Sequence, residues 1–134
     1  MTQYRTEIHR IKRIHRSNQS QIAIVTGTRD YLDRHFENDL NLDLLSKVRG
    51  TSKYHLLRLF KKYYGLTPWQ YLISRRLRKA KEYLVNGRTA TETCFAVGFE
   101  SPASFNTLFK KRIGKTPGSY QKEQLSKRQS GLES

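Results

Sequence analysis

The chain has 134 residues, of which 36% are hydrophobic, a size that suits one compact domain or two very small ones that share an element. Lysine and arginine number 26 against 11 acidic residues, and the resulting net charge of +15 favours a polyanionic partner, nucleic acid before an anionic membrane. No apolar run approaches the roughly 20 residues of a membrane span and no hydrophobic leader follows Met1, so we expect a cytoplasmic protein.

The two ends of the chain are predicted to lie outside the folded part. Residues 1–21 are basic, and the spacing of Ile8, Ile11 and either His15 or Ile14 allows a short amphipathic helix or a solvated tail. Such a basic segment would also suit a membrane surface. Residues 122–134 are polar with almost no apolar side chains, and we predict that they are disordered.

Between these ends the apolar periodicity is helical, and we predict an all-α chain of seven helices. The predicted helices cover residues 21–36, 42–48, 53–64, 68–85, 90–97, 102–113 and a short stretch from 117. Several starts carry capping signals, namely Ser52, Thr67-Pro68, Thr89-x-x-Glu92 and Ser101-Pro102. Gly50 suits a tight turn, and Gly65 suits a helix C-terminus.

An internal repeat organises the folded part of the chain. Moving residues 59–71 forward by 49 positions places them on 108–120. The identities are Leu59/Leu108, Phe60/Phe109, Lys61/Lys110, Lys62/Lys111, Gly65/Gly114, Thr67/Thr116, Pro68/Pro117 and Tyr71/Tyr120, and Ser52/Ser101 obeys the same shift. We interpret the repeat as two helix-turn-helix units, residues 22–66 and 87–121, joined by a linker helix at 67–86. A helical solenoid is the alternative, but basic third helices favour DNA reading.

These repeated residues resemble the DNA-binding domain of the AraC/XylS family of bacterial transcription regulators, over about residues 22 to 120. In the second unit the resemblance rests on Ala96-Val97-Gly98-Phe99-Glu100-Ser101, Phe105, Leu108-Phe109-Lys110-Lys111, Gly114, Thr116-Pro117 and Tyr120. In the first unit and the linker it rests on Leu56, Leu59-Phe60-Lys61-Lys62, Gly65, Thr67-Pro68, Tyr71-Leu72, Arg76-Leu77 and Ala80.

The resemblance implies that the third helix of each unit enters the major groove of double-stranded DNA. It also implies activation of transcription near promoters, with RNA polymerase as a second partner. Only about 20 residues precede the match, so we expect neither a sensory domain nor a small-molecule effector in this chain. If the chain is an excised piece, a sensor has been lost.

The length of the linker helix suits two recognition helices that bind in successive major grooves. Reading helices on one face of a duplex must lie about 34 Å apart, and a helix of roughly 18 residues spans about 27 Å. A shortfall would require the DNA to bend. We expect one monomer to read an asymmetric site without a palindrome.

In the first unit, Leu56, Leu59, Phe60 and Tyr63 are predicted to face inward. The face left for DNA consists of Lys53, Tyr54, Leu57, Arg58 and Lys61. Arg58 suits a bidentate contact with guanine, and Tyr54 and Leu57 suit thymine methyl groups. Contact with phosphate or with acidic neighbours is the alternative for Arg58, and partial packing inside the unit is the alternative for Leu57.

In the second unit, Phe105, Leu108 and Phe109 are predicted to face inward. The face left for DNA consists of Ala103, Ser104, Asn106, Thr107 and Lys110. Because this face has no arginine, it offers less direct base reading and more shape or phosphate contact. The absence of arginine from this face supports an alternative function, an architectural protein that bends DNA with little sequence specificity.

Further cations are candidates for phosphate contact: Lys61, Lys62, Arg75, Arg78, Lys110, Lys111 and Arg112. Arg76 is ambiguous, because an ion pair with Glu82 or Asp43 competes with a phosphate. Four histidines, one cysteine and no glycine-rich phosphate loop form no catalytic constellation, so we expect no enzyme, cofactor or metal site.

The fifth helix departs from the family pattern. Family members usually carry a large aliphatic residue where this chain has Ala90 and Thr93, and a small one at Cys94. We expect Cys94 to be a packing residue. Since each missing branched side chain forgoes about 1–3 kcal/mol of burial, we expect the second unit to be the looser one.

Overall fold

The computed structural model describes the backbone of residues 2–133 and the side chains of residues 6–131; within them it contains helices and no strand. The described helices are α1 (Thr2–Arg34), α2 (Leu42–Arg49), α3 (Lys53–Tyr64), α4 (Pro68–Val85), α5 (Ala90–Ala96), α6 (Pro102–Ile113) and α7 (Pro117–Glu133). The all-α prediction is confirmed, and α2 to α6 agree with the predicted bounds to within one residue. No helix in the described part of the chain is long and apolar enough to cross a membrane.

The prediction that the first helix begins near Gln21 is wrong, because α1 begins at Thr2. The first 26 residues contain neither proline nor glycine, so nothing in the local sequence interrupts the helix. All side chains of residues 9–20 are exposed. This part of α1 is therefore held by its own backbone hydrogen bonds and not by packing.

The prediction of a disordered tail at residues 122–134 is also wrong for the described residues, since α7 continues through them to Glu133. The Gln121 side-chain amide donates a hydrogen bond to the carbonyl of Leu84 at 2.9 Å. The Arg128 guanidinium donates one to the carbonyl of Val85 at 3.3 Å. These carbonyls lie in the last turn of α4, and that of Leu84 also accepts a hydrogen bond from the N–H of Gly87 at 3.1 Å. Polar side chains of α7 thus help to cap the end of α4.

The chain divides into two compact units. Unit 1 comprises Met1–Arg34 and Leu40–Tyr71, and unit 2 comprises His35–Asp39 and Leu72–Ser134. The helix α4 begins in unit 1 and ends in unit 2. Each unit contains one pair of helices with the helix-turn-helix order, α2 and α3 in unit 1 and α5 and α6 in unit 2.

In unit 1, α1 packs against both α2 and α3. The buried apolar residues of this unit are Val25, Leu32, Leu40, Leu45, Leu56, Leu59 and Phe60. Gly27 leaves room for the side chain of Arg49, since a Cβ there would lie 3.0 Å from Arg49 Cζ. Thr28 is fully buried, and its hydroxyl donates a hydrogen bond to the carbonyl of Ile24 at 2.7 Å.

In unit 2, α4, α5 and α6 enclose a single cluster of buried side chains. Its members are Ile73, Leu77, Ala80, Leu84, Cys94, Val97, Phe99, Phe105 and Phe109. Burial raises the pKa of the Cys94 thiol, which is therefore a neutral packing group at this position. Thr93 is also fully buried, but its hydroxyl has no hydrogen-bond partner among the described residues.

The unsatisfied hydroxyl of Thr93 predicts that Thr93→Val stabilises the protein. An unpaired buried hydroxyl costs about 1–3 kcal/mol, and valine removes it with little change of shape. We expect the free energy of unfolding, measured by urea titration of the helical signal, to rise by about 1 kcal/mol. The matched control Thr91→Val, at an exposed position of α5, should change it by less than about 0.5 kcal/mol. An unchanged or lowered midpoint for Thr93→Val would contradict the prediction.

Candidate nucleic-acid interface

Local capping interactions fix both ends of α3. Gly50 ends α2 with a φ of 67°, a left-handed conformation that favours glycine. The Ser52 hydroxyl then accepts a hydrogen bond from the backbone N–H of His55 at 3.2 Å, which begins α3. At the other end Gly65 has a φ of 77°, and its N–H donates to the carbonyl of Lys61 at 2.9 Å. The turn and the start of α3 are thus set by neighbouring residues.

The two faces of α3 are clearly divided. Leu56, Leu59 and Phe60 are buried in unit 1, as predicted. The exposed face brings together four of the five predicted reading residues, namely Lys53, Tyr54, Arg58 and Lys61, with Tyr54 68% exposed. Leu57 is half-buried at the edge of this face, so partial packing limits its reach.

The prediction that Tyr63 faces inward is wrong. Its side chain is 37% exposed, and its hydroxyl donates a hydrogen bond to Gln21 Oε1 at 3.1 Å. The inward aromatic residue is Tyr64, whose ring centroid lies 4.8 Å from that of Phe60 and 6.5 Å from that of Tyr71. Positions 63 and 64 both have helical spacing from Phe60, at three and four residues, so only the packing of the rings decides which tyrosine is inside.

The cations of α3 differ in how far they are already paired. Lys53 Nζ lies 3.8 Å from Asp43 Oδ1 and 5.5 Å from the centre of the Tyr54 ring. By contrast, Arg58 and Lys61 make no ion pair with any described side chain. Their charges are therefore the ones on this face that are open to an incoming anion.

The helix α6 is built in the same way as α3. The Ser101 hydroxyl accepts a hydrogen bond from the N–H of Ser104 at 3.2 Å, and Pro102 occupies the first turn. Gly114 ends the helix with a φ of 89°, and its N–H donates to the carbonyl of Lys110 at 2.8 Å. Phe105 is fully buried in unit 2.

The outward face of α6 has a plainer chemistry than that of α3. All five predicted reading residues, Ala103, Ser104, Asn106, Thr107 and Lys110, are exposed. The Ser104 hydroxyl lies 3.1 Å from that of Ser101 and is thus engaged at the helix start. Asn106 and Thr107 remain as neutral hydrogen-bonding groups, and Lys110 supplies the charge.

The repeat found in the sequence is also a repeat of side-chain geometry. Phe60 and Tyr71 lie edge to face with ring centroids 5.8 Å apart and planes at 74°. Their counterparts Phe109 and Tyr120 have a separation of 5.6 Å and an angle of 69°. Each unit therefore holds its reading helix against the start of the following helix through the same aromatic pair.

Arg76 is a structural residue and pairs with neither predicted acidic partner. It is 5% exposed, and its Nε and Nη2 donate hydrogen bonds to the carbonyls of Phe36 at 2.6 Å and Asn38 at 2.8 Å. Glu82 instead accepts a hydrogen bond from Lys79 at 2.9 Å, which holds the pKa of this carboxyl below its ordinary value. The sequence missed the true partners because they are backbone carbonyls.

The surroundings of the Arg76 guanidinium are crowded. A Cβ at Gly98, where φ is 101°, would lie 2.8 Å from the Glu37 carbonyl oxygen and 3.0 Å from Arg76 Cζ, so only glycine fits. Burial lowers the pKa of Arg76, against the opposing effect of the nearby carboxylates of Asp39, Glu100 and Glu37. Arg76 therefore belongs to the support of the turn before α6 and not to the surface that faces an anion.

Most of the other predicted phosphate ligands are open to solvent. Lys61, Lys62, Arg78, Lys110, Lys111 and Arg112 are exposed. Arg75 is half-buried, with its Cζ 4.9 Å from the centre of the Phe36 ring. Among the described side chains, no group of three or more His, Cys, Asp or Glu residues could hold a metal ion.

Comparison with known proteins connects this geometry to a family. A family model described as a helix-turn-helix domain matches residues 45–123. Among curated proteins, the bifunctional transcriptional activator/DNA repair enzyme AdaA of Bacillus subtilis is 36% identical over 99 residues, which cover 73% of this chain and 46% of AdaA. The chain thus spans about half the length of this relative.

Two solved structures place the fold. The C-terminal domain of AraT, a response regulator from Geobacillus stearothermophilus, has a TM-score of 0.72 and 30% identity, over 75% of this chain and 84% of that one. The DNA-binding domain of AdpA, a global transcriptional factor solved in complex with a target DNA, has a TM-score of 0.74 and 22% identity, over 78% and 95%. The likeness to AdpA shows the fold alone. The family model, which matches more than half of the chain, and the likeness to AraT show that the chain belongs to the AraC-type family of helix-turn-helix transcription regulators.

Proposed function

We propose that this chain recognises a specific sequence of double-stranded DNA by placing α3 and α6 in successive major grooves. The observation that carries the proposal is the pair of equivalent helices, each buried on one face and each exposing its polar face to solvent. The net charge of +15 supplies the sequence-independent attraction to the phosphates. AdpA, which has the same fold, binds DNA through its corresponding domain.

In this proposal, α3 contributes more to sequence specificity than α6. Arg58 on α3 has a long, planar side chain that can make two hydrogen bonds to guanine O6 and N7. On α6, Asn106 and Thr107 reach fewer base atoms. Unit 1 therefore selects the site, and unit 2 mainly adds phosphate and shape contacts.

We further propose that binding activates transcription in the cytoplasm, through contact with RNA polymerase at a nearby promoter. The support is the name of AdaA, which includes a transcriptional activator. Since this chain matches less than half of AdaA and also matches the helix-turn-helix family model, we propose for it only the transcriptional part of that name. Transcription in vitro from a promoter beside the bound site should rise when the protein is added, and a fall would identify a repressor.

Selection of bound duplexes from a random pool tests sequence specificity most directly. We expect one asymmetric consensus, with affinity about 10³-fold or more above that for random duplex at physiological salt. The half of the site read by unit 1 should carry more conserved base pairs than the other half. Affinities for selected and random duplexes within about tenfold of each other would favour the architectural, DNA-bending alternative.

Replacement of Arg58 tests base reading by α3. Arg58→Ala should weaken binding to the selected site by about 1–3 kcal/mol and relax the preference at one base pair. Arg58→Lys should keep the charge but lose the planar bidentate contact, and hence part of that preference. Fluorescence anisotropy with single-base-pair variants of the site measures both effects. Unchanged selectivity in Arg58→Ala would remove Arg58 from the reading face.

Replacement of Lys61 tests phosphate contact. Lys61→Ala should weaken binding to all sequences alike and reduce the slope of log affinity against log salt by about one. The control is Lys127→Ala, which removes an equal charge that pairs with Glu123 on α7 at 3.1 Å. A loss confined to one DNA sequence, or an equal loss in the control, would argue against this role.

A further inference from the structure

The N-terminal part of α1 carries an apolar stripe that unit 1 does not cover. We define residues 6–20 as the α1 arm, in which every side chain is exposed except the half-exposed Ile8. Ile11 is 60% exposed, and Ile22 just beyond the arm is 45% exposed. Ile14, which is 54% exposed, flanks this stripe. A helix with branched apolar side chains along one side is typical of a helix that packs against a partner.

The spacing of this stripe identifies the kind of partner. Starting at Ile8, alternate steps of three and four residues define the two inward positions of a heptad repeat. They are occupied by Ile8, Ile11, His15, Asn18, Ile22 and Val25. Steps of this kind mark the seam of a left-handed coiled coil. Val25, the last member, is 2% exposed in the core of unit 1, so the seam leads directly from the core into the arm.

The flanking charges favour a second copy of this chain in parallel orientation. With Ile8 at heptad position a and Ile11 at position d, Glu7 is at position g and Lys12 is at position e. In a parallel coiled coil, each g residue lies beside the e residue five places further along the other helix. Here those residues are Glu7 and Lys12. Glu7 already lies 3.3 Å from Arg10 Nη2 of its own helix, and in the pair Lys12 of the other helix would be a second cation beside this carboxylate, a contact that two-fold symmetry forms twice. In an antiparallel coiled coil, position g lies beside position g and position e beside position e, so Glu7 would not lie beside a lysine.

The polar members of the seam are also compatible with pairing between identical helices. His15 and Asn18 would each lie opposite the same residue of the second copy, where side chains of one kind can form hydrogen bonds to each other. A polar layer of this type lowers stability but fixes the register and the number of strands. Within the arm, the two isoleucine layers at Ile8 and Ile11 and these polar layers make a short seam, so the association in free solution is weak.

The other basic side chains do not prevent this pairing. Arg10, Arg13 and Arg16 lie at positions turned away from the seam, on opposite outer sides of the two helices. Each helix is about 10–12 Å across, so these charges are separated by more than the Debye length of about 8 Å at physiological salt. Added salt therefore screens their repulsion while the apolar seam persists.

We propose that the α1 arm pairs with the arm of a second copy to form a parallel two-stranded coiled coil. Each copy would still read its own asymmetric site, and the two-fold axis of the pair would suit two such sites in inverted arrangement. Binding of one copy to DNA would raise the local concentration of its neighbour, which offsets the weakness of a short seam. The pairing does not depend on the proposed DNA function and can be tested without DNA.

Engineered cysteines test the geometry in the full chain, where Cys94 is buried. With Ile11→Cys, two identical seam positions face each other at a distance that a disulfide can bridge. With Arg13→Cys, the control, an equally exposed residue lies on the outer side. Under mild oxidation we expect a covalent dimer from Ile11→Cys and only background from Arg13→Cys. Equal yields from both variants, or none from either, would overturn the proposal.

Sedimentation of the unmodified chain over a concentration series gives a second measurement. We expect a reversible dimer that persists or strengthens as salt is raised and that Ile8→Asp/Ile11→Asp abolishes. Because these residues lie outside the core of unit 1, the variant should retain its folded units. A monomer at every concentration, up to high micromolar, would overturn the proposal. So would a loss of DNA affinity in Arg13→Ala/Arg16→Ala without any dimer, which would make the arm a phosphate-binding segment.

Discussion

The buried guanidinium of Arg76 is the interaction on which the architecture of unit 2 depends. It donates hydrogen bonds to the carbonyls of Phe36 and Asn38, and its Cζ lies 5.7 Å from the centre of the Phe99 ring. One side chain of α4 thereby joins the segment before α2 to the turn before α6. Gly98 completes the arrangement, because a Cβ there would lie 2.8 Å from the Glu37 carbonyl oxygen and 3.0 Å from the guanidinium carbon. The position of α6 thus depends on a buried cation whose hydrogen bonds go to backbone carbonyls.

In the repeat, the residues that hold α3 and α6 in place are the same in both units, whereas most of the residues on their exposed faces differ. The aromatic pairs Phe60–Tyr71 and Phe109–Tyr120 have nearly the same separation and angle in both units. Serine begins each reading helix and glycine ends it. The exposed faces share no such identity, since Arg58 of α3 corresponds to Thr107 of α6. Under the proposed function, this common support with different outer side chains would allow one chain to read an asymmetric sequence without altering its fold.

Most helix bounds and the exposed faces of α3 and α6 could be predicted from the sequence, because caps and apolar spacing act between residues that are close along the chain. The bounds of α3 and α4 agree with the sequence-based bounds, since a cap such as Ser52 bonds a backbone N–H only three residues away. The exposed faces of α3 and α6 followed from apolar spacing. That spacing failed at Tyr63, because a single turn does not distinguish two adjacent aromatic residues. Only the packing of Tyr64 on Phe60 decides which one is inside.

The sequence by itself determined the all-α class, the tandem repeat and the polar faces of the two reading helices, because these depend on residues within one or two turns of each other. The tertiary structure decided which groups long polar side chains meet. Arg76 bonds carbonyls 40 and 38 residues away, and Arg128 bonds a carbonyl 43 residues away, so neither partner has a signature in the local sequence. Composition also could not distinguish a disordered polar tail from a helix whose side chains cap the end of α4, since both require polar residues.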